Sequence, residues 1–77
     1  MEKKLSEFSI GDAGVVKSVG GEGKIRRRLF DMGITPNASI VMRKLAPLGD
    51  PMEVTVRGYE LTLRKTEADC VIMEVDK

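Results

Sequence analysis

The chain has 77 residues, 13 of them Lys or Arg and 12 Asp or Glu, which gives a formal net charge of +1. This length predicts one domain, residues 1–77, with a small core, and the near-neutral charge argues against nucleic acid as a partner. The sequence has no histidine and a single cysteine. This composition excludes an internal disulfide, a Cys/His zinc site and a Ser–His or Cys–His catalytic pair.

The sequence predicts neither a secretion signal nor a membrane span. Residues 1–5 lack the apolar run of a signal peptide, and no segment approaches the ~20 apolar residues that a membrane helix requires. A lone cysteine suits a reducing compartment. We therefore expect a cytoplasmic protein with no direct membrane insertion.

The first predicted strand covers residues 13–19, because its valines favour extended backbone. The glycine-rich segment that follows, residues 20–24, resembles a phosphate-binding loop. A Walker A loop needs Ser or Thr after its lysine, however, and Ile25 stands there. We interpret the segment as a flexible connection between a strand and a helix.

Residues 24–32 predict a short helix. One face carries an apolar stripe at i, i+4 and i+7, formed by Ile25, Leu29 and Met32. Gly33 is expected to end the helix as a left-handed cap, with Ile34 supplying the apolar contact that accompanies such caps. A turn through Asn37, which tolerates positive φ, then leads into the next strand.

Four more strands are predicted, over residues 39–46, 52–56, 59–64 and 70–75. In the first of them, Ile40 and Met42 share one face, and the other face carries Val41, Arg43 and Leu45. In the hairpin around Arg57-Gly58, the residues expected to face the core are Met52, Val54, Val56, Leu61 and Leu63. Residues 66–69 are expected to form one helical turn with Thr66 as its cap.

Five short strands around one helix predict a mainly β fold, a small SH3-like barrel of about five strands with one short inserted α-helix. Closure of such a barrel would limit exposed strand edges. The aromatic residues are only Phe8, Phe30 and Tyr59. They are too few to build the aromatic groove with which SH3 domains bind proline-rich peptides.

The polar face of the predicted helix is the first candidate binding surface. Arg26, Arg27 and Phe30 lie away from the apolar stripe, whereas Arg28 borders it. A phenylalanine on a polar face is unusual and fits a partner anchor. The alternative is that Phe30 packs under a neighbouring loop, and the sequence leaves both readings open.

The remaining reactive side chains predict no enzyme. Cys70 is interpreted as a small buried hydrophobic residue, because free cysteines are usually buried. Glu53 and Glu60 point outward from their strands, and no carboxylate pair stands out as a general acid and base. We expect no catalytic residues and no cofactor, and the sequence assigns no metal ligands.

Several segments of the sequence together match one family. They are Leu5-Ser6-Glu7 with Gly11, Arg28 to Pro36, Ala46 to Pro51, Val56-Arg57-Gly58, Leu61 to Arg64, and Glu67-Ala68. In these segments, which cover nearly the whole chain in order, the sequence resembles FeoA, the small cytosolic proteins of bacterial ferrous iron transport systems. One mild departure is Asn37, where the family often has Gly.

The resemblance implies an SH3-like barrel with an inserted helix and a non-enzymatic accessory role beside FeoB, the membrane iron permease with a cytosolic GTPase domain. We therefore expect a protein-interaction module that contacts the cytosolic face of a FeoB-like transporter. The expected contacts are Arg26, Arg27 and Phe30 on the helix and Leu48, Gly49, Asp50 and Pro51 in the loop.

The loop is included because nothing in the predicted core requires Leu48 ahead of Gly49-Asp50-Pro51. The alternative hypothesis is a metal-sensing or regulatory module that binds Fe(II) or another transition metal through surface carboxylates, with or without Cys70. The family's barrel also resembles the C-terminal domain of iron-dependent repressors, but this sequence has no helix-turn-helix region.

Overall fold

One antiparallel sheet of six strands dominates the structure, a computed structural model that describes residues 1–75. The spatial order of the strands is β1-β6-β2-β3-β4-β5. The strands are β1 (Glu2–Lys4), β2 (Ala13–Val19), β3 (Ser39–Leu45), β4 (Met52–Val56), β5 (Tyr59–Leu63) and β6 (Val71–Glu74). Two α-helices, α1 (Gly23–Asp31) and α2 (Lys65–Ala68), and one 3₁₀ turn (Leu5–Glu7) complete the elements.

The prediction of a mainly β fold with a short inserted helix is confirmed, but the strand count is six. Strand β1 was not predicted, because Glu2-Lys3-Lys4 is polar throughout and does not alternate. Its strand conformation comes from pairing with β6, where Lys3 lies opposite Met73. Within residues 1–75, β1 and β5 are the two edges of the sheet and do not pair, so the ladder is not closed.

Two β-bulges change which side chains face the core. In β2 the register shifts between Val16 and Ser18, so Val16 and Val19 are both buried although they are three residues apart. In β3 the register shifts between Met42 and Lys44. The prediction that Leu45 lies on the outer face was therefore wrong: it pairs with buried Met52 and packs against the core.

Side chains of the sheet form most of the core, and Leu5 of the 3₁₀ turn, Leu29 of α1 and Ala68 of α2 complete it. The hairpin prediction is confirmed in β4, where Met52, Val54 and Val56 are all at most 1% exposed. In β5, Leu63 is buried and Leu61 is half-buried. Leu29 is the single fully buried residue of α1.

The predicted glycine cap of α1 is confirmed. Gly33 has φ +93°, its N–H donates to the Phe30 carbonyl at 3.0 Å, and the Ile34 N–H donates to the Leu29 carbonyl at 3.0 Å. This pair of bonds is the Schellman arrangement. Ile34 is fully buried, so the cap also adds a residue to the core.

The β4–β5 turn holds this end of α1. Arg57 and Gly58 have φ +50° and +86°, as the predicted tight reversal requires. The Arg57 side chain donates to the Gly33 carbonyl at 3.1 Å and to Thr35 Oγ1 at 2.6 Å. The Tyr59 hydroxyl donates to the Met32 carbonyl. Three hydrogen bonds thus connect the hairpin to the segment that follows the helix.

Helix α2 begins one residue before the predicted turn, so the assignment of Thr66 as its cap was wrong. Arg64 occupies the N-cap position. Its backbone N–H donates to the Glu67 carboxylate at 2.9 Å. Glu67, at 8% exposure, is the buried charged residue of the part of the chain that the structure describes.

We predict that Gly33→Ala destabilises the protein more than Gly49→Ala. Both glycines have positive φ, which costs an alanine about 1 kcal/mol. A Cβ on Gly33 would also lie 2.4 Å from Tyr59 Oη, whereas one on Gly49 would meet nothing within 4 Å. Displacing the hydroxyl should add about 1 kcal/mol, the worth of one hydrogen bond, measurable by urea denaturation.

A double-mutant cycle isolates that contact. In a Tyr59→Phe background the hydroxyl is absent, so Gly33→Ala and Gly49→Ala should cost nearly the same free energy. If the difference between the two glycines persisted in that background, the Tyr59 contact would not be its cause.

Candidate functional site

The polar face of α1 carries a shallow groove of about 390 Å³. Helical spacing brings its lining together, because the positions follow i, i+3, i+4, i+7 and i+8 along one side of the helix. The lining residues are Gly23, Arg26, Arg27, Phe30 and Asp31. All three helix residues expected from the sequence therefore line the same groove.

Phe30 has features of both roles that the sequence left open, a partner anchor and a packing residue. Its ring is half-buried and packs against the core, but the groove still reaches it. The Arg26 guanidinium lies 5.0 Å from the ring centroid, within cation–π distance, and its Nε donates to the Val19 carbonyl at 3.1 Å. Phe30 is thus both a packing residue and the apolar surface of the groove.

The cations of α1 are held to different degrees. Arg28 Nε lies 3.4 Å from Glu67 Oε2 and so turns toward α2. Arg26 is positioned by its hydrogen bond to β2. Arg27 is exposed, and within residues 1–75 it forms no ion pair. The groove therefore has one fixed and one unpaired guanidinium.

The loop between β3 and β4 is the second expected surface. It is closed by hydrogen bonds from the Ala46 N–H to the Pro51 carbonyl, at 3.0 Å, and from the Gly49 N–H to the Ala46 carbonyl, at 2.7 Å. At its tip, Leu48 is 91% exposed. Leu48 is therefore exposed to solvent on a hydrogen-bonded loop and contributes no packing to the core, as the sequence indicated.

Asp50 has a structural contact that the sequence did not indicate. Its Oδ1 accepts a hydrogen bond from the Lys65 N–H, 3.0 Å away, at the first residue of α2. Pro51 lines a separate hollow beside the loop, of about 300 Å³, whose other lining residues are Lys44, Leu45, Ala46, Met52, Glu53 and Thr62. The loop and the helix groove are therefore distinct surfaces.

Helix α2 connects these two surfaces. Glu67 pairs with Arg28 of α1, and two residues earlier the Lys65 N–H donates to the Asp50 carboxylate of the loop. One short helix therefore contacts both the helix that carries the groove and the loop that carries Leu48.

The described residues offer little for metal chemistry. Within residues 1–75 no three Cys, Asp or Glu side chains are grouped closely enough to hold a metal ion. Cys70 is half-buried, and its Sγ lies 3.6 Å from the Thr66 carbonyl. No helix in this part of the chain is long and apolar enough to cross a membrane.

The two shifted pKa values belong to residues outside both surfaces. A hydrogen bond to Glu2 raises the pKa of Lys17. A hydrogen bond from the Met1 α-ammonium lowers the pKa of Glu74. Both residues are on strands of the sheet, so these shifts concern the strand ends and not the groove.

Comparison with known proteins decides the family, since the FeoA domain model matches residues 3–75. The chain belongs to the FeoA family. It is also 33% identical over 72 residues to a Porphyromonas gingivalis protein named Fe(2+) transport protein A/Fe(2+) transporter FeoB fusion protein. That match covers 94% of this chain but 8% of the relative, so the chain corresponds to a small part of the fusion protein.

Solved FeoA structures share the fold. The FeoA-like protein of Clostridium acetobutylicum is 39% identical, with a TM-score of 0.89 over 96% of this chain and 86% of the other. The Stenotrophomonas maltophilia FeoA, solved with zinc and described as an SH3 domain protein, is 30% identical, with a TM-score of 0.82 over 94% and 89%. The predicted SH3-like fold is thereby confirmed.

The same fold occurs outside the family. A manganese-dependent transcriptional repressor superposes with a TM-score of 0.90 at 16% identity, over 97% of this chain and 37% of the repressor. At this identity the similarity concerns the fold alone.

Two lining residues of the groove were missed in the sequence, and one contact had no sequence signal. Gly23 and Asp31 lie four residues on either side of Arg27, so helical spacing was sufficient to find them. The pairing of Arg28 with Glu67 joins residues 39 positions apart in two different helices. No local pattern predicts such a contact.

We predict that Asp50→Ala destabilises the loop–α2 junction by about 1 kcal/mol, because the Lys65 N–H loses its acceptor. Amide hydrogen exchange should quicken at Lys65. Asp50→Asn keeps an acceptor oxygen and should restore most of the protection. Unchanged exchange at Lys65 in Asp50→Ala would show that the hydrogen bond does not stabilise the junction.

Proposed function

We propose that this chain is a non-enzymatic accessory protein of ferrous iron uptake that binds the cytosolic face of a FeoB-like transporter. The fusion protein of Porphyromonas gingivalis carries the proposal, because its name joins transport protein A to FeoB in one chain. Fusion holds two modules at high effective concentration. Two separate chains achieve the same proximity only by binding each other.

The geometry of the two surfaces supports a binding role. Binding energy concentrates in aromatic, apolar and arginine side chains that a partner can cover, and Phe30 with Arg26 forms such a group in the groove. Leu48 supplies a second apolar contact in the loop. Arg27 orients an approaching partner through its charge.

The same surfaces offer nothing for catalysis or for a cofactor. The sequence has no histidine, and the groove contains one carboxylate, Asp31, beside two arginines. A general acid–base mechanism needs a proton acceptor and donor with separated pKa values. We therefore assign the protein to binding.

We predict that Leu48→Ala weakens FeoB binding about tenfold, or ~1.4 kcal/mol, with little loss of stability. Leu48 is 91% exposed, so its removal should change the free energy of unfolding by no more than about 0.5 kcal/mol. The affinity is measured by titrating purified FeoB, in detergent or nanodiscs, with the labelled chain. Uptake of radioactive iron in cells that depend on this chain provides the functional readout.

Ile10→Ala is the matched control, because Ile10 is also an exposed aliphatic residue, at 61%, but lies outside both surfaces. Equal binding by Leu48→Ala and Ile10→Ala would remove the loop from the interface. If the unmodified chain did not associate with FeoB, intact or as its isolated cytosolic domain, the proposed function would be wrong.

A second candidate function is metal sensing, favoured by the zinc complex of the Stenotrophomonas maltophilia relative. Surface carboxylates of this chain, with or without Cys70, would supply the ligands. Anaerobic calorimetry with Fe(II) tests this, with Cys70→Ser as the comparison variant. Absence of heat at micromolar metal would reject the candidate.

A further inference from the structure

We infer that the α1 groove binds an acidic segment of its partner that carries one apolar side chain. This inference rests on the proposed function, because it names the chemistry of the partner at the same surface. It follows from the charge of α1, from the shape of the groove and from which of the lining groups are already engaged.

The charge of α1 is strongly local. The helix has nine residues, of which four are cations and one, Asp31, is an anion, whereas the whole chain carries only +1. A near-neutral protein does not attract anionic partners over a distance. With four cations and one anion, α1 carries a local charge of +3 and therefore attracts negative charge more strongly than the net charge of the chain indicates.

Within residues 1–75, two of the four cations form neither an ion pair nor a side-chain hydrogen bond. Arg28 is engaged by Glu67, and Arg26 by the Val19 carbonyl and the Phe30 ring. Lys24 and Arg27 are exposed, and within residues 1–75 neither forms an ion pair. They are three residues apart, so they lie on the same side of the helix. Two neighbouring unpaired cations favour a partner with more than one carboxylate.

The groove also has an apolar part that an inorganic anion would not use. Phe30 lines the groove, with the Arg26 guanidinium 5.0 Å from its ring centroid. Gly23 leaves the N-terminal end open, since even a Cβ there would meet nothing within 4 Å. A space of about 390 Å³ can receive one large aliphatic or aromatic side chain. The ligand is therefore an acidic peptide and not a free phosphate.

A second copy of the chain fits this groove less well. Its exposed apolar tip, Leu48, has one nearby carboxylate, Asp50. One oxygen of that carboxylate already accepts the Lys65 N–H. A self-contact through Leu48 would thus offer Lys24 and Arg27 a single, partly engaged anion.

The first test compares two charge reversals in binding to FeoB. Arg27→Glu should weaken binding about tenfold or more and flatten its dependence on salt concentration. Arg43→Glu makes the same change of charge at an exposed residue of β3, outside both surfaces, and should change the affinity less than about threefold. In a complementary experiment, carboxylates of FeoB are replaced by lysine one at a time. One of these replacements should restore binding of the Arg27→Glu variant.

The second test does not need FeoB. A short peptide of Glu, Leu and one Phe is titrated into the ¹⁵N-labelled chain, beside a peptide with Lys in place of Glu and beside inorganic phosphate. The amides of Gly23, Arg27 and Phe30 should shift with the acidic peptide alone. Equal shifts with phosphate or with the lysine peptide would overturn the inference, as would no shift with the acidic peptide.

The two proposals fail in different ways. Equal losses of FeoB affinity in Arg27→Glu and Arg43→Glu overturn the acidic-segment inference and leave FeoB binding intact. No FeoB binding, together with peptide shifts in the groove, overturns the proposed function and leaves the chemistry of the groove supported. Dimerisation of the unmodified chain that Arg27→Glu abolishes, seen in sedimentation, would assign the groove to a second copy and overturn the inference.

Discussion

The position of α1 depends on the hydrogen bonds between the β4–β5 turn and the carbonyls that follow the helix. A nine-residue helix with one fully buried side chain has little stability of its own. The Tyr59 hydroxyl and the Arg57 guanidinium fix its C-terminal end at Met32 and Gly33. The groove is built from one side of this helix, so its orientation toward a partner is set by the hairpin turn that contacts the C-terminal end of α1.

The second constraint is the short helix α2, which links both candidate surfaces. Glu67 has little exposure, and a buried carboxylate is costly unless it is hydrogen-bonded and paired. The Arg64 N–H and the Arg28 guanidinium satisfy it. Because Asp50 bonds to the Lys65 N–H, the loop is joined to the same element. The same short helix thus contacts both the helix that carries the groove and the loop that carries the exposed leucine.

The sequence predicted those features that local chemistry determines. The alternation of Met52, Val54 and Val56, the left-handed cap at Gly33 and the helical grouping of Arg26, Arg27 and Phe30 all follow from spacing within one element. Features that depend on contacts between residues far apart in the sequence could not be predicted. Strand β1 exists because β6 pairs with it, a bulge turned Leu45 inward, and Asp50 is engaged by a helix fifteen residues away. Local sequence does not predict these three features, because each of the residues or segments involved occurs in many structural contexts.

The candidate binding residues fall into two groups: those that contribute to the stability of the fold and those that do not. Phe30 packs on the core, and Asp50 bonds to α2, so loss of either changes the structure as well as any interface. Leu48 and Arg27 contribute almost nothing to the fold, because both are exposed and neither holds another element in place. Single exposed leucines and arginines are common on protein surfaces, so the fold does not determine which residues stand at these two positions. Because their substitution leaves the fold intact, a loss of partner binding in Leu48 or Arg27 variants can be assigned to the interface itself.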